Sequence, residues 1–391
     1  MSTPSHNYSA IVIGAGSTGS AVAHDLTLRG FAVTVVERGE IASGTTGRNH
    51  CLLHSGGRYC VKDQESAIEC IEENMILRKI MPDALELNGG LFVAITDSDM
   101  DYKPLFLEGC EACNIPHKEL TADEALKLEP NLNPEVKAAV WVPDGVFEPM
   151  RLCLSFLATA KSHGAVVRPF TEVKGLLMEG GRVTGVHVWD RIENKEFDIH
   201  ADVVINAAGP WAEAIAEMAG IDVPVVPTPG VMVSMTGRHN QRVINRLNKS
   251  SDGDIVVPQR ETSIIGTSSW KVEDADYIEI PEDHVRLMYE RGAEMLPVLK
   301  SVSPRGIFTV ARPLIGSRGE AEGRELSRTF KCFDHADEGV EGFVTISGGK
   351  TTTSRAMAET TVDVVCKKFG LEIPCTTRDT VLLSYRAFYT L

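Results

Sequence analysis

Six residues near the start constrain this chain more than any others: Gly14-Ala15-Gly16-Ser17-Thr18-Gly19. The run before them, SAIVI from Ser9 to Ile13, is short and apolar, as a buried parallel strand requires. A helical stretch follows to Leu28 and ends at Arg29-Gly30, and a second β-rich run from Ala32 to Val36 finishes on Glu37. In this order the first glycine makes a tight turn and the second lets a pyrophosphate approach backbone N–H groups. The third packs helix on strand. Glu37 lies about 20 residues past the fingerprint, where a carboxylate takes unphosphorylated ribose hydroxyls. Strand, fingerprint, helix, strand and acid together predict a dinucleotide site.

Which dinucleotide follows from what comes next. Ser43 to Tyr59, SGTTGRNHCLLHSGGRY, is rich in glycine and hydroxyls and precedes any further strand–helix repeat. Alone it also reads as an ordinary loop. Behind a nucleotide fold it suits an elongated FAD better than a nicotinamide. A distant element agrees: Ala201 to Gly209 reads as a buried strand ending in small residues, with Pro210-Trp211 opening a helix that stops at Gly220. Near the end, Phe343 to Ser347 is a strand, and GGKTTT opens a helix running to Phe369. Those N-terminal N–H groups and the positive dipole end can face an electron-rich flavin oxygen, or simply cap the helix well.

The candidate cofactor contacts fall in the same segments. The fingerprint supplies Gly14, Gly16, Ser17, Thr18 and Gly19; the second strand end supplies Glu37 and Arg38. The loop supplies Ser43, Thr45, Thr46, Gly47, Asn49 and His50, and Val173 stands on a later strand. The returning strand adds Ala207, Ala208, Gly209 and Trp211, and the terminal helix adds Gly348, Gly349, Lys350, Thr351 and Thr352. No metal site is expected.

A length of 391 residues allows two domains or one large composite domain. The net charge of -15 argues against a nucleic-acid partner. No apolar run approaches the ~20 residues that span a bilayer, and the start, MSTPSHNYSA, has no basic and apolar regions of a signal peptide. A cytoplasmic protein is expected. The nine scattered cysteines read as reduced thiols, and the single C-x-x-C, Cys110 and Cys113, sits in a helical pattern that suits core packing.

Between these landmarks the expected helices are Lys62 to Ile80 (with Ile68, Ile71, Met75 and Ile76 on one side), Tyr102 to Asn114, a short one capped by Thr121 and Glu124, Arg151 to His163, and Glu282 to Leu296. Expected strands are Gly89 to Ile95, Lys137 to Val142, Val166 to Arg168, Val173 to Met178 and Arg182 to Trp189, the last two joined at Gly180-Gly181. Val225 to Met235, Asp254 to Val257, Ser263 to Gly266 and Gly306 to Val310 follow. The fold class is α/β: a Rossmann-like two-nucleotide-fold FAD domain with an interleaved α+β substrate domain containing an antiparallel sheet. The FAD domain is assigned 1–84, 148–222 and 328–391; the substrate domain is assigned 85–147 and 223–327, roofing the flavin.

On that roof stand Arg312 in VARPL, Arg328, Lys350 and, from the loop, Arg58 with Tyr59. Their segments converge on the flavin, which favours recognition of a carboxylate or phosphate. His54 on the flavin loop is the candidate base.

With these residues placed, the chain resembles the FAD-dependent glycerol-3-phosphate dehydrogenases, within the D-amino-acid-oxidase-like oxidoreductases. It looks closest to the anaerobic-type catalytic subunit. The resemblance runs from about Tyr8 to Arg378 and rests on GTTGRNHCLLHSGGRY, QESAIECIEEN, WVPDGVFEP, INAAGPW, VINRLNKSSDGDIVVP, IIGTSS, VARPL and ISGGKTTTSR. It implies FAD and oxidation of sn-glycerol 3-phosphate to dihydroxyacetone phosphate by hydride transfer from C2 to flavin N5. It implies that His54, Arg58 and Tyr59 line the substrate pocket, that Arg312 lies beside substrate and flavin, and that Arg328 and Lys350 bind the anion. It also implies membrane-associated partner subunits for electron transfer, to quinone or another acceptor, and a peripheral place at the inner face of the cell membrane. Homo-oligomerisation stays open. The anaerobic-type subunit continues into a cysteine-rich domain that this sequence, ending at Leu391, does not include. Relatives often carry Lys before the glycine near Pro229-Gly230 and an aromatic where Ser354 stands, so another polyol phosphate stays open too. Two other readings remain at this point: oxidation of a 2-hydroxy acid such as L-2-hydroxyglutarate, and a flavin-bound electron-transfer subunit without its own substrate.

Overall fold

The computed structural model describes residues 8–81, 83–316 and 328–391. The fingerprint unit forms as its sequence requires. Strand Ser9–Ile13 runs into helix Ser17–Leu28 and then strand Ala32–Val36. Ser9–Ile13 lies in a six-stranded sheet, parallel to Ala32–Val36 on one side and to Val203–Asn206 on the other. Val166–Arg168 extends one edge in parallel, while Phe343–Gly348 and then antiparallel Phe330–Asp334 extend the other. Side-chain alternation divides the sheet's two faces. Ala10 and Val12 pack with the helices Ser17–Leu28, Pro149–Ser162 and Ser354–Lys368. Ile11 and Ile13 pack with a separate antiparallel sheet of Thr171–Glu179, Arg182–Asp190 and Lys195–His200.

A second, eight-stranded sheet draws on two distant stretches of chain. In spatial order its strands are Pro304–Ile315, Val225–Thr236, Thr262–Gly266, Ile255–Gln259, Val243–Arg246, Gly90–Ala94, Ala138–Val142 and Lys118–Thr121. Pairing is antiparallel except where Val243–Arg246 runs parallel to Gly90–Ala94 and joins the stretches. Helices Glu282–Met295 and Ala122–Leu128 cover one face, and the Thr121–Glu124 capping box is present. Residues 1–7 and 317–327 of the expected domains lie outside the described residues.

Several expected bounds and faces change. The Tyr102 helix begins earlier, as Asp97–Ala112, because Thr96 and Asp99 form a capping box. Strand Val203–Asn206 is shorter than expected, and Gly209–Trp211 is a 3₁₀ turn before helix Ala212–Glu217. Strands Lys195–His200, Val243–Arg246 and Phe330–Asp334 were not expected; the first is a mostly exposed strand rich in charge. The largest correction concerns helix Gln64–Ile80. Ile68 and Met75 of its expected apolar side are exposed, and the buried side includes Glu73 and Asn74. Asn74 donates to the carbonyls of Leu53, His54 and Pro143, and Glu73 receives a two-point ion pair from Arg355 (2.8 and 2.5 Å). The helix is held by polar contacts to the loop it supports. Cys110 and Cys113 are buried and all nine cysteines are free.

His24, in the fingerprint helix, is fully buried, and neither ring nitrogen has a hydrogen-bond partner among the described residues. Burial, with His163 adding, pushes its pKa from 6.5 down to about 3. The unfolded chain therefore binds the extra proton between those values, so stability is complete above the unfolded pKa and falls as pH drops below it. His24→Leu should lose less stability than the parent protein between about pH 7 and pH 5, by about 2 kcal/mol in chemical denaturation. Equal losses would mean that the folded ring takes up the proton.

Candidate active site

The aligned carboxyl ends of the central strands open a cavity of about 1580 Å³. Ile13 pairs with both Val36 and Asn206, so three strands stop level. Gly14 turns away there with φ +104, and a Cβ on it would meet the Ala207 carbonyl oxygen at 2.6 Å. Gly16, at the N-cap of Ser17–Leu28, offers no side chain to the helix N-terminus. Its missing Cβ would be 3.1 Å from Thr46 Oγ1, which itself accepts from the Ser17 N–H. Glu37 accepts the N–H groups of Ala15 and Gly39, both at 2.9 Å, which fixes its carboxylate at the cavity edge.

The other candidate cofactor residues meet these. Ser17, Thr18, Ser43, Thr45, Thr46, Asn49 and His50 line the cavity, as do Val173, Ala207, Ala208 and Gly209. Arg38 lies 4.1 Å above the Trp211 ring and pairs with Asp276 at 2.5 Å, so its charge is already engaged. Gly348, Gly349, Lys350, Thr351 and Thr352 form the opposite wall, and the Asn49 amide donates to Thr351 Oγ1 at 3.3 Å. Two candidates stand behind the wall. A Cβ on Gly19 would lie 1.9 Å from the Gly14 carbonyl, and one on Gly47 would lie 2.2 Å from that of Ala42. Both glycines serve backbone packing, and neither lines the cavity.

His54, Arg58, Tyr59, Arg312, Arg328 and Lys350 all line the same cavity. The His54 ring lies 5.4 Å from that of Tyr59 and 5.7 Å from that of His50. Burial, then His50, Lys350, Arg58 and Arg328, hold its pKa well below 6.5, so the ring is neutral. Lys350 Nζ lies 5.1 Å over the Tyr59 ring and donates to the Arg328 carbonyl. Among the described residues Arg312 bonds uncharged oxygens. Burial, then Arg328 and Arg58, bring its pKa down to about 9. A guanidinium keeps its proton, so the displacement registers its burial first and the neighbouring arginines second. Arg58 differs from expectation. Its Nη2 donates to Asp254 at 2.6 Å and to Ser250 at 2.7 Å, in a pair only 9% and 2% exposed. It is held by a counter-ion rather than free as an anion clamp.

The sequence reading missed Asp254 and Thr267, both of which act on these arginines. Each sits in a β-rich stretch where a polar residue reads as solvent-facing. Among the described residues no cluster of three or more His, Cys, Asp or Glu side chains has the geometry of a metal site. No helix of the described residues is long and apolar enough to cross a membrane.

These features define a flavoprotein. Residues 9–363 match the FAD dependent oxidoreductase (DAO) family, and the chain belongs to it. It is 42% identical over 375 residues to an anaerobic glycerol-3-phosphate dehydrogenase subunit of Escherichia coli (strain K12), across 95% of this chain and 69% of that one. It is 43% identical over 385 residues to the anaerobic glycerol-3-phosphate dehydrogenase subunit A1 of Haloferax volcanii, across 95% and 65%. The chain thus spans roughly two thirds of these relatives. In fold it is similar to the glycerol-3-phosphate dehydrogenase from Bacillus halodurans complexed with FAD (TM-score 0.74, 24% identity, 99% of this chain and 71% of that one). It is also similar to the glycine oxidase from Bacillus cereus (TM-score 0.71, 22% identity, 97% and 99%).

FAD is the family's cofactor, and the residues present fit it. The cavity exceeds the ~1,000 Å³ of ordinary small-ligand pockets, and Trp211 Nε1 is buried there without a partner among the described residues. A contrast between two glycines tests the fit. Gly14→Ala should cost more than ~1 kcal/mol of stability, because its positive φ and the Ala207 carbonyl both oppose a side chain. Gly16→Ala should keep the melting temperature of the flavin-free parent yet purify with at least ~10-fold less flavin. A fully flavinated Gly16→Ala protein would show that the cofactor does not approach there.

Proposed function

We propose that the chain oxidises sn-glycerol 3-phosphate, or a similar polyol phosphate, to dihydroxyacetone phosphate or its analogue. The observation that carries this is one cavity end holding a neutral imidazole, His54, among Arg312, Arg328 and Lys350. A phosphate monoester brings about two negative charges, which these cations can meet. The relatives named as glycerol-3-phosphate dehydrogenases support the choice.

When bound, FAD supplies the acceptor for the hydride that leaves C2. The chain's residues do the rest. Arg328 and Lys350 hold the phosphate, and Arg312 fixes a positive charge beside the carbon that becomes a carbonyl. A ring nitrogen of His54 takes the C2 hydroxyl proton, since neutral imidazole is the form that can accept it. Tyr59 packs between His54 and Lys350 and keeps both in place. Two electrons and one proton leave as hydride, the second proton goes to His54, and the product is a ketone. The six-stranded side of the molecule (1–84, 148–222 and 328–391) carries the cofactor, and the eight-stranded side (85–147 and 223–327) covers the substrate. The relatives' designation as subunits of a dehydrogenase supports the presence of partner proteins, to which we assign onward electron transfer and a peripheral place for the chain at a membrane.

Anaerobic mixing of the flavin-loaded protein with glycerol 3-phosphate should bleach the flavin's visible absorbance. Arg312→Ala should retain FAD and slow the bleaching by at least ~10²-fold. Bleaching by a 2-hydroxy acid and not by glycerol 3-phosphate, or unchanged kinetics in the variant, would refute these assignments.

A further inference from the structure

Arg312 is gripped by the protein in a way that limits what it can offer. Nη1 donates to the carbonyls of Thr228 (3.2 Å) and Pro229 (3.1 Å), and Nη2 donates to Thr267 Oγ1 (2.5 Å) and the Ser268 carbonyl (3.1 Å). Four acceptors meet the four terminal N–H bonds, and only Nε is left without a protein partner among the described residues. A guanidinium grips phosphate or carboxylate by presenting two parallel N–H bonds. Here the fork is already committed, although every acceptor is uncharged and the positive charge is undiminished.

The surroundings are built for this grip. A Cβ on Gly230 would sit 2.4 Å from Arg312 Nη2 and 2.7 Å from the Ser268 carbonyl, so a larger residue there would displace the guanidinium. Strand pairing sets Arg312 opposite Thr228. Ser268 is itself fixed, because its Oγ accepts the Val231 N–H and lies 3.1 Å from His284 Nδ1. Thr267 is the only side chain among the four acceptors, and it lines the cavity.

We propose that Arg312 is a caged cation that offers the substrate one N–H and a fixed charge, and that Thr267 and Gly230 are the positioning residues that hold it so. This deepens the function proposed above and rests on it for what lies opposite. Arg312 serves the reacting hydroxyl-bearing carbon, and the phosphate is held elsewhere.

The test compares flavin-loaded Thr267→Val, Thr267→Ser and Gly230→Ala with the parent. Three quantities are read: the rate of flavin reduction at saturating glycerol 3-phosphate, KM, and the Kd of inorganic phosphate from perturbation of the flavin spectrum. Thr267→Val should slow reduction about 10- to 100-fold, the size of one lost bond to a charged group. Its KM and phosphate Kd should stay within about threefold of the parent's. Thr267→Ser, which keeps the hydroxyl, should recover the rate, and Gly230→Ala should show the same split as valine. A Thr267→Val protein that matches the parent, loses phosphate affinity in step with rate, or is not rescued by serine would overturn the cage. If glycerol 3-phosphate fails to reduce even the parent, the proposed function falls alone. The phosphate titration then decides the cage: an unchanged Kd in Thr267→Val upholds it, and a weakened one overturns it.

Discussion

The architecture depends on one close approach of backbone to backbone, where the chain leaves Ile13. The Gly14 N–H donates to the Val36 carbonyl at 2.8 Å and the Ala207 N–H donates to that of Ile13 at 3.0 Å. Three parallel strands therefore end together with no side chain between them. Any Cβ on Gly14 would part the first and third. Because the strands stop level, the N-terminus of Ser17–Leu28, the Glu37 carboxylate and the 207–211 turn face one space. That is the crevice at the carboxyl ends of an open α/β sheet where elongated nucleotides bind.

The arginines then sort the interior into structure and site. Three shielded arginines have carboxylates, two of them away from the cavity. Arg29 bonds Asp25 and Asp363, Arg355 bonds Glu73 and Glu359, and Arg58 bonds Asp254. At an effective dielectric near 20, a unit charge pair at 4 Å is worth about 4 kcal/mol, so such pairs are locked. Among the described residues Arg312 bonds carbonyls and a hydroxyl, and the ammonium of Lys350 bonds a carbonyl. Neither has a carboxylate bonded to it there, and an anion can supply that charge. Counting cations overstates this field, because Arg58 is neutralised.

What could be read from the sequence follows the same division between local and distant causes. The fingerprint was legible because its glycines keep a fixed spacing between a short apolar run and a helical one, although the Ala207 and Thr46 contacts that crowd Gly14 and Gly16 are distant. The Thr121 capping box was legible on the same grounds. The face of Gln64–Ile80 was misread because its partners are far away in sequence: Asn74 meets the Pro143 carbonyl, and Glu73 meets Arg355. A periodicity of Ile and Met could not reveal that Glu73 and Asn74 are buried beside Ile71, Leu77 and Ile80. Arg58 was legible as a pocket residue, yet Asp254, 196 positions on, decides its charge. Strand Val243–Arg246 escaped notice because its polar half meets partners distant in sequence, among them Asp144 and Asp99 of the other stretch.

That polar helix explains why the loop carrying His54 can be held so accurately. Apolar contact is non-directional and would let the Leu52–Leu53 strand and the residues after it slide or roll against the cavity. Asn74 instead donates to two successive loop carbonyls and to the Pro143 carbonyl in the neighbouring turn. The His54 N–H meets Thr352 Oγ1 at 3.2 Å on the terminal segment, whose helix is tied back to Gln64–Ile80 through Arg355 and Glu73. Each bond fixes a direction as well as a distance. Removing either tether would leave buried polar groups without partners, a penalty that falls on the folded state alone. The base candidate, the Lys350 turn and the helix behind them are therefore positioned as one unit, and His54 is held through its backbone groups, with no hydrogen bond to its ring nitrogens among the described residues.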